Sequence, residues 1–233
     1  MPGKNLINHF VKISYLIVFS GFFLFHLPVA AQAGSYERFF TAILRDDVRT
    51  LERLAEAGFD LNAPSPDLEP PLFLAVKSES LRAARFLIER PEVNVDARGS
   101  ADENALMIAA LKGHLDVVQA LIARRAQVNK PGWTPLHYAA THKGPNAPAI
   151  TRLLLEHHAF IDAESPNKTT PLMMAAHYGH PMVVRILLEE GADPMARNEQ
   201  GLTAIDFAHR AGRTDMAELI ASFVRQRQPR GTW

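Results

Sequence analysis

The sequence predicts an all-α solenoid of about six helix-turn-helix repeats, with short β-turn fingers between successive repeats. Three observations support this prediction. An apolar anchor recurs about every 33 residues, a second apolar run follows each anchor by about ten residues, and proline and glycine mark the helix ends. The anchors are Phe39, Leu72, Leu106, Leu136, Leu172 and Ile205, at spacings of 33, 34, 30, 36 and 33 residues. One unit cannot bury its apolar face alone, so we expect stacked units to share one continuous core.

The first element of the chain is predicted to be a secretory signal peptide over residues 1–33. This segment contains Lys4 and Lys12 but no acidic residue, continues with the apolar run Ile13–Leu27, and ends in small residues. These are the three parts of an export signal, and we expect cleavage after Ala33. The alternative is a retained membrane anchor, although a spanning helix needs roughly 18–20 apolar residues and this run is shorter. The mature protein is therefore predicted to be periplasmic or secreted.

The repeat domain is predicted to occupy residues 34–224. Its units are placed at about 36–68, 69–102, 103–132, 133–168, 169–201 and 202–224, and the polar residues 225–233 are expected to form a flexible C-terminal tail. The spacing of 30 comes from a shortened finger at residues 129–133. The spacing of 36 comes from an inserted segment at 141–148, whose two prolines and glycine predict a loop between two helices.

Proline, threonine, alanine and glycine mark the boundaries of each helix pair. Pro135 and Pro171 suit a first helical turn, where a missing N–H is no loss, and the threonine before each can cap the helix. Pairs of alanines keep the first helix of a unit thin, so that neighbouring units can approach closely. The glycines expected in the left-handed conformation are Gly113 and Gly179 after first helices, and Gly58 and Gly191 after second helices.

The segment Thr134–Ala140 reads T-P-L-H-Y-A-A and aligns with residues 170–176 and 203–208, and two weaker copies stand at 71–76 and 105–110. With its period near 33, the pattern resembles the ankyrin repeat, whose signature is T-P-L-H-x-A. The tetratricopeptide repeat has a similar length but lacks the Thr-Pro start. The resemblance covers about residues 36–224 and, together with the export signal, indicates an exported ankyrin-repeat protein of bacterial type.

The composition argues against several classes of function. The chain has 25 basic and 25 acidic residues, which gives no basic stripe for nucleic acid, and removal of residues 1–33 would leave a net charge of −2. Without cysteine there is no thiolate nucleophile and no cysteine-based metal site. Neither a Gly-x-Ser-x-Gly elbow nor a phosphate-binding glycine loop is present. The sequence therefore predicts that the protein is not an enzyme, with no catalytic residues, no cofactor and no metal site.

Ten histidines nevertheless require interpretation. His114, His137 and His180 occupy positions that the ankyrin repeat uses structurally, so we assign them structural roles. His142 and His177 each lie just after an alanine pair, on the predicted inner side of the stack. We interpret them as accessible polar side chains, and a metal ion shared between them is the alternative.

The resemblance implies a partner-binding surface on the finger tips and the first helices, which together form a concave groove. The residues that we select on this surface are Trp133, Tyr178, His142, Lys143, His177, Lys112, Lys77 and Arg210. Trp133 is the leading candidate, because it is the only tryptophan in the repeats and tryptophan is a frequent interface anchor. The alternative is that Trp133 packs over the shortened finger. Lys112, Lys130 and Lys143 predict a mildly basic surface that favours an acidic partner.

The sequence thus predicts a non-enzymatic protein-interaction module, exported to the periplasm, that binds another protein through the concave groove of its middle repeats. One alternative is an accessory or inhibitor protein that protects or regulates a periplasmic enzyme. The other is a metal or small-ligand binder. Neither nucleic acid nor, after signal cleavage, a membrane is expected among its partners.

Overall fold

The computed structural model describes residues 29–227, which form twelve α-helices in six pairs. The helices are α1 Val29–Leu44, α2 Val48–Glu56, α3 Pro71–Lys77, α4 Leu81–Ile88, α5 Ala105–Lys112, α6 Leu115–Ala123, α7 Pro135–Thr141, α8 Ala147–Glu156, α9 Pro171–Tyr178, α10 Pro181–Glu189, α11 Ala204–Arg210 and α12 Thr214–Arg227. Between residues 29 and 227 the β-structure is one isolated bridge, Arg98 with Asn104, in the finger before α5. The predicted all-α solenoid is confirmed.

The helices lie in two layers that run along the stack. The first helices of the units contact one another in succession from α1 to α11, and the second helices do so from α2 to α12. The predicted anchors lie between the layers: Phe39, Leu106, Leu136 and Leu172 are completely buried. Ile205, the anchor of the last unit, is only partly buried. The predicted alanine pairs are completely buried, as close packing of neighbouring first helices requires.

The glycine predictions were correct at three of four positions. Gly58, Gly113 and Gly191 have φ of 79°, 76° and 107°. Gly179 was predicted wrongly, because its φ of −80° and ψ of 176° are extended. A side chain at Gly179 would instead collide with the carbonyl oxygen of Ala140 in the preceding unit. Glycine is required there by the close approach of two first helices, and not by a left-handed turn.

The insertion in the fourth unit is a loop, but it is shorter than predicted. It comprises residues 142–146, because Thr141 still belongs to α7, and Ala147 and Pro148 form the first turn of α8. Proline is accepted in a first helical turn, so Pro148 does not lengthen the loop. The Asn146 Nδ2 donates to the carbonyl oxygen of Gly113 at 2.9 Å and ties the loop to the third unit.

The two ends of the described chain differ from the predicted boundaries. Helix α1 begins at Val29 and continues through the expected cleavage position after Ala33, while residues 1–28 of the predicted signal peptide lie outside the described residues. Helix α12 extends to Arg227 rather than stopping at residue 224, since the first helix-breaking residue after it is Pro229. Residues 228–233 of the predicted tail also lie outside the described part. None of the helices within residues 29–227 has the length and hydropathy needed to cross a bilayer.

In the first four units, an asparagine or aspartate in the turn after the second helix bonds the next unit. The side chains of Asn62, Asp96, Asn129 and Asp162 accept hydrogen bonds from the backbone N–H groups of Asn94, Gln127, Phe160 and Asp193, at 2.8, 2.8, 2.8 and 3.0 Å. The series ends at Met195, which stands at the equivalent position of the fifth unit. The stack is therefore held by a repeated polar ladder as well as by its core.

Arg124 makes a second, non-repeated joint between units. The turn after α4 carries one extra residue, and its carbonyl oxygens point toward the guanidinium of Arg124 from the third unit. Nη1 donates to the carbonyl oxygens of Ile88 and Arg90, the latter at 2.7 Å, and Nη2 donates to those of Pro91 and Val93 at 3.3 Å each. One side chain thus donates to four backbone acceptors around the turn that carries the extra residue.

Candidate protein-binding groove

A pocket of about 230 Å³ lies in the middle of the concave groove. Residues of the third, fourth and fifth units build it together, because α5, α7 and α9 lie side by side and the finger at 129–133 borders them. Its lining consists of Leu111, Trp133, His137, Tyr138, Thr141 and Met174. Most of these side chains are apolar or aromatic, so the pocket can take up an apolar group and exclude water around it.

Trp133 is held at the pocket by the shortened finger. The Lys130 side chain is 5% exposed; its Nζ lies 2.5 Å from the Asp102 Oδ2 of the preceding finger and donates to the Trp133 carbonyl oxygen at 3.3 Å. This hydrogen bond from Lys130 holds the pKa of Asp102 below its ordinary range. The indole of Trp133 meets the ring of His137 edge to face, with centroids 5.2 Å apart. The side chain is half-buried, which leaves part of the ring open to a partner.

His137 is a completely buried structural histidine beneath the pocket. Its Nε2 lies 2.9 Å from the Thr169 carbonyl oxygen, which can only accept, so Nε2 carries the proton. Nδ1 then accepts from the Thr134 N–H at 3.2 Å and from the Thr134 hydroxyl at 2.9 Å. Burial lowers the pKa of His137 to about 4. The imidazole is therefore neutral at pH 7 and joins the fourth unit to the fifth.

Tyr138 connects the pocket to a carboxylate. Its ring lines the pocket, and its hydroxyl donates to the Glu103 Oε1 in the finger of the third unit. Burial raises the pKa of the Tyr138 hydroxyl, and the Glu103 carboxylate acts in the same direction. The phenol accordingly stays protonated, and the partly exposed Glu103 stands at the edge of the pocket.

The structure separates Tyr178 from Trp133. Tyr178 is 44% exposed at the end of α9 and meets His177 edge to face at 4.1 Å, but it does not line the pocket. His177 is half-buried, and its Nδ1 donates to the Phe207 carbonyl oxygen at 3.1 Å. His177 therefore faces the sixth unit.

His142 directly follows α7, in the loop of the fourth unit. Its imidazole packs closely against Gly113 and Gly144, toward the third unit, and burial lowers its pKa. Lys143 follows it in the exposed loop. Because the rings of His142 and His177 turn toward opposite ends of the stack, the structure does not bring them together. No group of three or more histidine, aspartate or glutamate side chains suited to a metal ion occurs within residues 29–227.

Two of the predicted cations, Lys112 and Lys77, are paired with carboxylates. Lys112 Nζ lies 2.7 Å from the Glu79 Oε1, and Lys77 Nζ bonds the Glu69 Oε1. Arg210 reaches the Gln200 Oε1 at 3.5 Å. Together with the Lys130–Asp102 pair, these contacts correct the expectation of a mildly basic surface around Trp133. The lysine count of the sequence gave no information on these partners, because each acid comes from a different finger or turn.

Sequence reasoning missed Tyr138, Met174 and Glu103 as groove residues. A signal was available at one register position, four residues after the residue that precedes the first helix of a unit. In units two to six this position carries a large apolar or aromatic side chain. That position holds Leu74, Ile108, Tyr138, Met174 and Phe207. A search for large side chains at a fixed register position would have found Tyr138 and Met174.

Stacked helix pairs with a pocket in their concave face define the class of helical-repeat interaction modules. A family model described as ankyrin repeats (3 copies) matches residues 72–165, and a second, described as ankyrin repeats (many copies), matches residues 154–208. The ankyrin repeat protein YahD of Escherichia coli (strain K12) is 30% identical over 158 residues, which are 65% of this chain and 78% of YahD. This chain belongs to the ankyrin-repeat family, and it is accordingly a protein-protein interaction module.

Two further similar proteins are a tyrosine-protein kinase and one chain of a solved complex. Tyrosine-protein kinase Shark of Drosophila melanogaster is 32% identical over 134 residues, which are 56% of this chain but only 14% of Shark. A solved structure of a predatory endopeptidase from Bdellovibrio bacteriovorus in complex with an immunity protein contains a similar chain. That chain has a TM-score of 0.68 and 26% identity, and the match covers 79% of this chain and 97% of that one.

Proposed function

We propose that this chain is an exported, non-enzymatic protein that binds a partner protein through its concave groove. The observation that carries the proposal is the pocket at the centre of the groove. Three consecutive units contribute to it, its lining is largely apolar, and a buried lysine holds Trp133 at its edge. A half-buried tryptophan beside an apolar pocket is a common arrangement of an interface hot spot.

Affinity capture with matched variants tests the groove. The full chain is used as bait in an extract of its source cells, beside Trp133→Ala and Phe160→Ala. Phe160 is a suitable control, because it is an aromatic side chain that is 66% exposed and does not line the pocket. We expect the partner to be lost with Trp133→Ala and kept with Phe160→Ala, while the helical circular dichroism of both variants stays unchanged. Equal capture by all three proteins would contradict binding through the groove.

Export and cleavage form a separate part of the proposal. They are supported by the basic start, the apolar run and the small residues that end the segment 1–33. Mass spectrometry of the protein recovered from its natural host should give an N-terminus at Gly34. A chain that retains residues 1–33 would contradict cleavage and favour the membrane anchor.

An inhibitor or accessory role for an exported enzyme is the second candidate function. It is favoured by the similar chain of the endopeptidase–immunity protein complex, which the match covers almost completely. On this proposal the captured partner is a peptidase, and a stoichiometric amount of this chain lowers its rate of peptide-bond hydrolysis. Trp133→Ala should relieve the inhibition. A captured peptidase whose activity does not respond to this chain would contradict the inhibitor role and leave an accessory role.

A further inference from the structure

An excess of negative charge borders the pocket on the side of the second and third units. The Lys77 ammonium bonds Glu69, and the charges of Glu103 and Asp67 act on it as well, so that three carboxylates share one ammonium. Glu69 is largely buried by this contact, whereas Asp67 is exposed and Glu103 partly exposed. The side chain of Lys77 is 51% exposed at the edge of this acidic cluster, which comprises Asp67, Glu69 and Glu103.

Neighbouring cations cancel only part of this charge. Arg98 and Lys130 both bond Asp102, at 3.0 and 2.5 Å, so this aspartate cancels one of their two positive charges. Lys130 is 5% exposed and presents almost no charge to the groove. Lys112 is neutralised by Glu79. The carboxylates of Glu103 and Asp67 therefore remain available to a partner.

The pocket and the acidic cluster are joined by one side chain. The ring of Tyr138 lines the pocket, and its hydroxyl donates to Glu103, so the two features lie one tyrosine ring apart. Side chains at positions i and i+2 of an extended segment are on the same face and about 7 Å apart. One extended partner segment can thus place an apolar side chain in the pocket and a cation beside Glu103.

We propose that the partner presents an extended segment in which a large apolar side chain lies two residues from an arginine or lysine. The apolar side chain occupies the pocket between Trp133 and Met174, and the cation binds Glu103 and Asp67. This inference rests on the proposed function of the groove, and it specifies the chemistry of the partner. It replaces the acidic partner that the lysines of the sequence favoured.

Selection from a display library of random 12-residue peptides tests this proposal. Immobilised full chain is compared with Glu103→Gln, with Glu156→Gln and with Met174→Lys. Glutamine at 103 keeps an acceptor for the Tyr138 hydroxyl and removes only the charge. Glu156 is an exposed glutamate at the end of α8 and controls for a general loss of negative charge. Lysine at 174 fills and charges the pocket while the stem can still pack.

We expect the unmodified chain and Glu156→Gln to enrich peptides with an aromatic or large aliphatic residue two positions from Arg or Lys. For a selected peptide labelled with fluorescein, replacement of its cation by glutamate should weaken binding at least about tenfold, because like charges repel across the interface. With Glu103→Gln that penalty should become several times smaller. Met174→Lys should bind none of the selected peptides, with its circular dichroism unchanged.

The contrary outcomes separate this inference from the proposed function. Peptides that need the pocket but show no preference for a cation, or prefer an acid, would overturn the partner chemistry and leave the groove as the binding site. An equal penalty with and without Glu103→Gln would overturn the role of Glu103. Peptides that bind Met174→Lys as well as the unmodified chain, or no enrichment at all, would count against the groove itself and therefore against both proposals.

Discussion

Two fingers of the stack, the one before the fifth unit and the one before the fourth, are held in place by different contacts. In the finger before the fifth unit, the Ser165 Oγ accepts from the Thr169 N–H at 3.0 Å, four residues along the chain. The finger before the fourth unit is shorter. It is held by Lys130, whose ammonium bonds the Trp133 carbonyl oxygen and the carboxylate of Asp102 in the neighbouring finger. The regular finger closes on itself, whereas the shortened one depends on the unit before it.

The same contrast recurs along the molecule. Regular joints use a register position of the repeat, such as the ladder position that holds Asn129 or the position of the buried His137 in the T-P-L-H segment. Irregular joints use one long cation at a length change: Arg124 at the extra residue of the second unit and Lys130 at the shortened finger. A change of length displaces backbone acceptors, and a long side chain from the next unit can reach them. Irregular joints should therefore be individually costly to lose.

The largest expected effect is at Arg124. Replacement by Met leaves three partly buried carbonyl oxygens and one exposed one without their charged donor, so we expect a loss of about 3 kcal/mol in the free energy of unfolding. Urea denaturation followed by circular dichroism measures it. Arg125→Met is the matched control, because Arg125 is exposed and a surface change costs within about 0.5 kcal/mol. If both variants lost a similar amount of stability, Arg124 would contribute no more than an exposed arginine, and the proposed cost of losing an irregular joint would be wrong.

A regular joint can be probed through pH at His137. Its pKa is about 4 in the fold and about 6.5 in the unfolded chain, so between these values the unfolded state binds more protons. Stability should therefore fall as pH decreases, by about 2 kcal/mol between pH 7 and pH 5 from this group. His137→Met is the control, because Met173 occupies the same position in the fifth unit and its sulfur accepts from the Thr170 N–H at 3.4 Å. His137→Met should lose the part of the pH dependence that comes from His137. An unchanged slope of unfolding free energy against pH would contradict the attribution of this dependence to His137.

The two fingers themselves can be compared directly. Lys130→Met should cost about 1–2 kcal/mol, because the Trp133 carbonyl oxygen loses its charged donor and the exposed Asp102 is rehydrated. Ser165→Ala should cost less, about 0.5–1 kcal/mol, since the Asn167 Oδ1 still accepts from the Thr169 N–H. Thermal or urea unfolding measures both. A larger loss for Ser165→Ala would reverse the comparison, and Lys168→Met at an exposed finger tip controls for the loss of a lysine.

An effect as small as that of Ser165→Ala is expected at a finger tip, and it has the opposite sign. Leu68 has a φ of 61° and is 73% exposed, whereas Gly201 occupies the equivalent position before the sixth unit with a φ of 74°. A leucine is strained in this region, so Leu68→Gly should raise the free energy of unfolding by about 0.5–1 kcal/mol. The reverse change, Gly201→Leu, should lower it by a similar amount. Equal stabilities would show that the tips adapt without strain.

The regular parts of the fold could be predicted from the sequence because they repeat. Six anchors at a common period, the alanine pairs and the Thr-Pro starts indicated the two layers of helices before any contact was known. The polar ladder of Asn62, Asp96, Asn129 and Asp162 was visible in the same period and was missed, since it lies outside the apolar pattern. The irregular joints could not be predicted, because nothing in the local sequence of Arg124 or Lys130 indicates which carbonyl or carboxylate it meets.

The candidate site was predicted only in part for the same reason. Trp133 stood out by its residue type, and the structure places it at the pocket. Tyr178 and His142 were selected by register alone, and the structure places them outside the pocket lining. The error at Gly179 has a similar cause, because an approach by the Ala140 carbonyl oxygen depends on how two helices pack, which the chain around the glycine does not encode.

By itself the sequence determined the period, the family, the buried anchors and the absence of cysteine chemistry. These follow from residue type and spacing, which act within one unit and its nearest neighbours. The tertiary structure decided which lysines are neutralised, how Tyr138 places Glu103 beside the pocket, and where a partner can insert a side chain. Charge pairing and pocket shape depend on distances between atoms of different units, and residues about 30 positions apart meet only when the stack has formed.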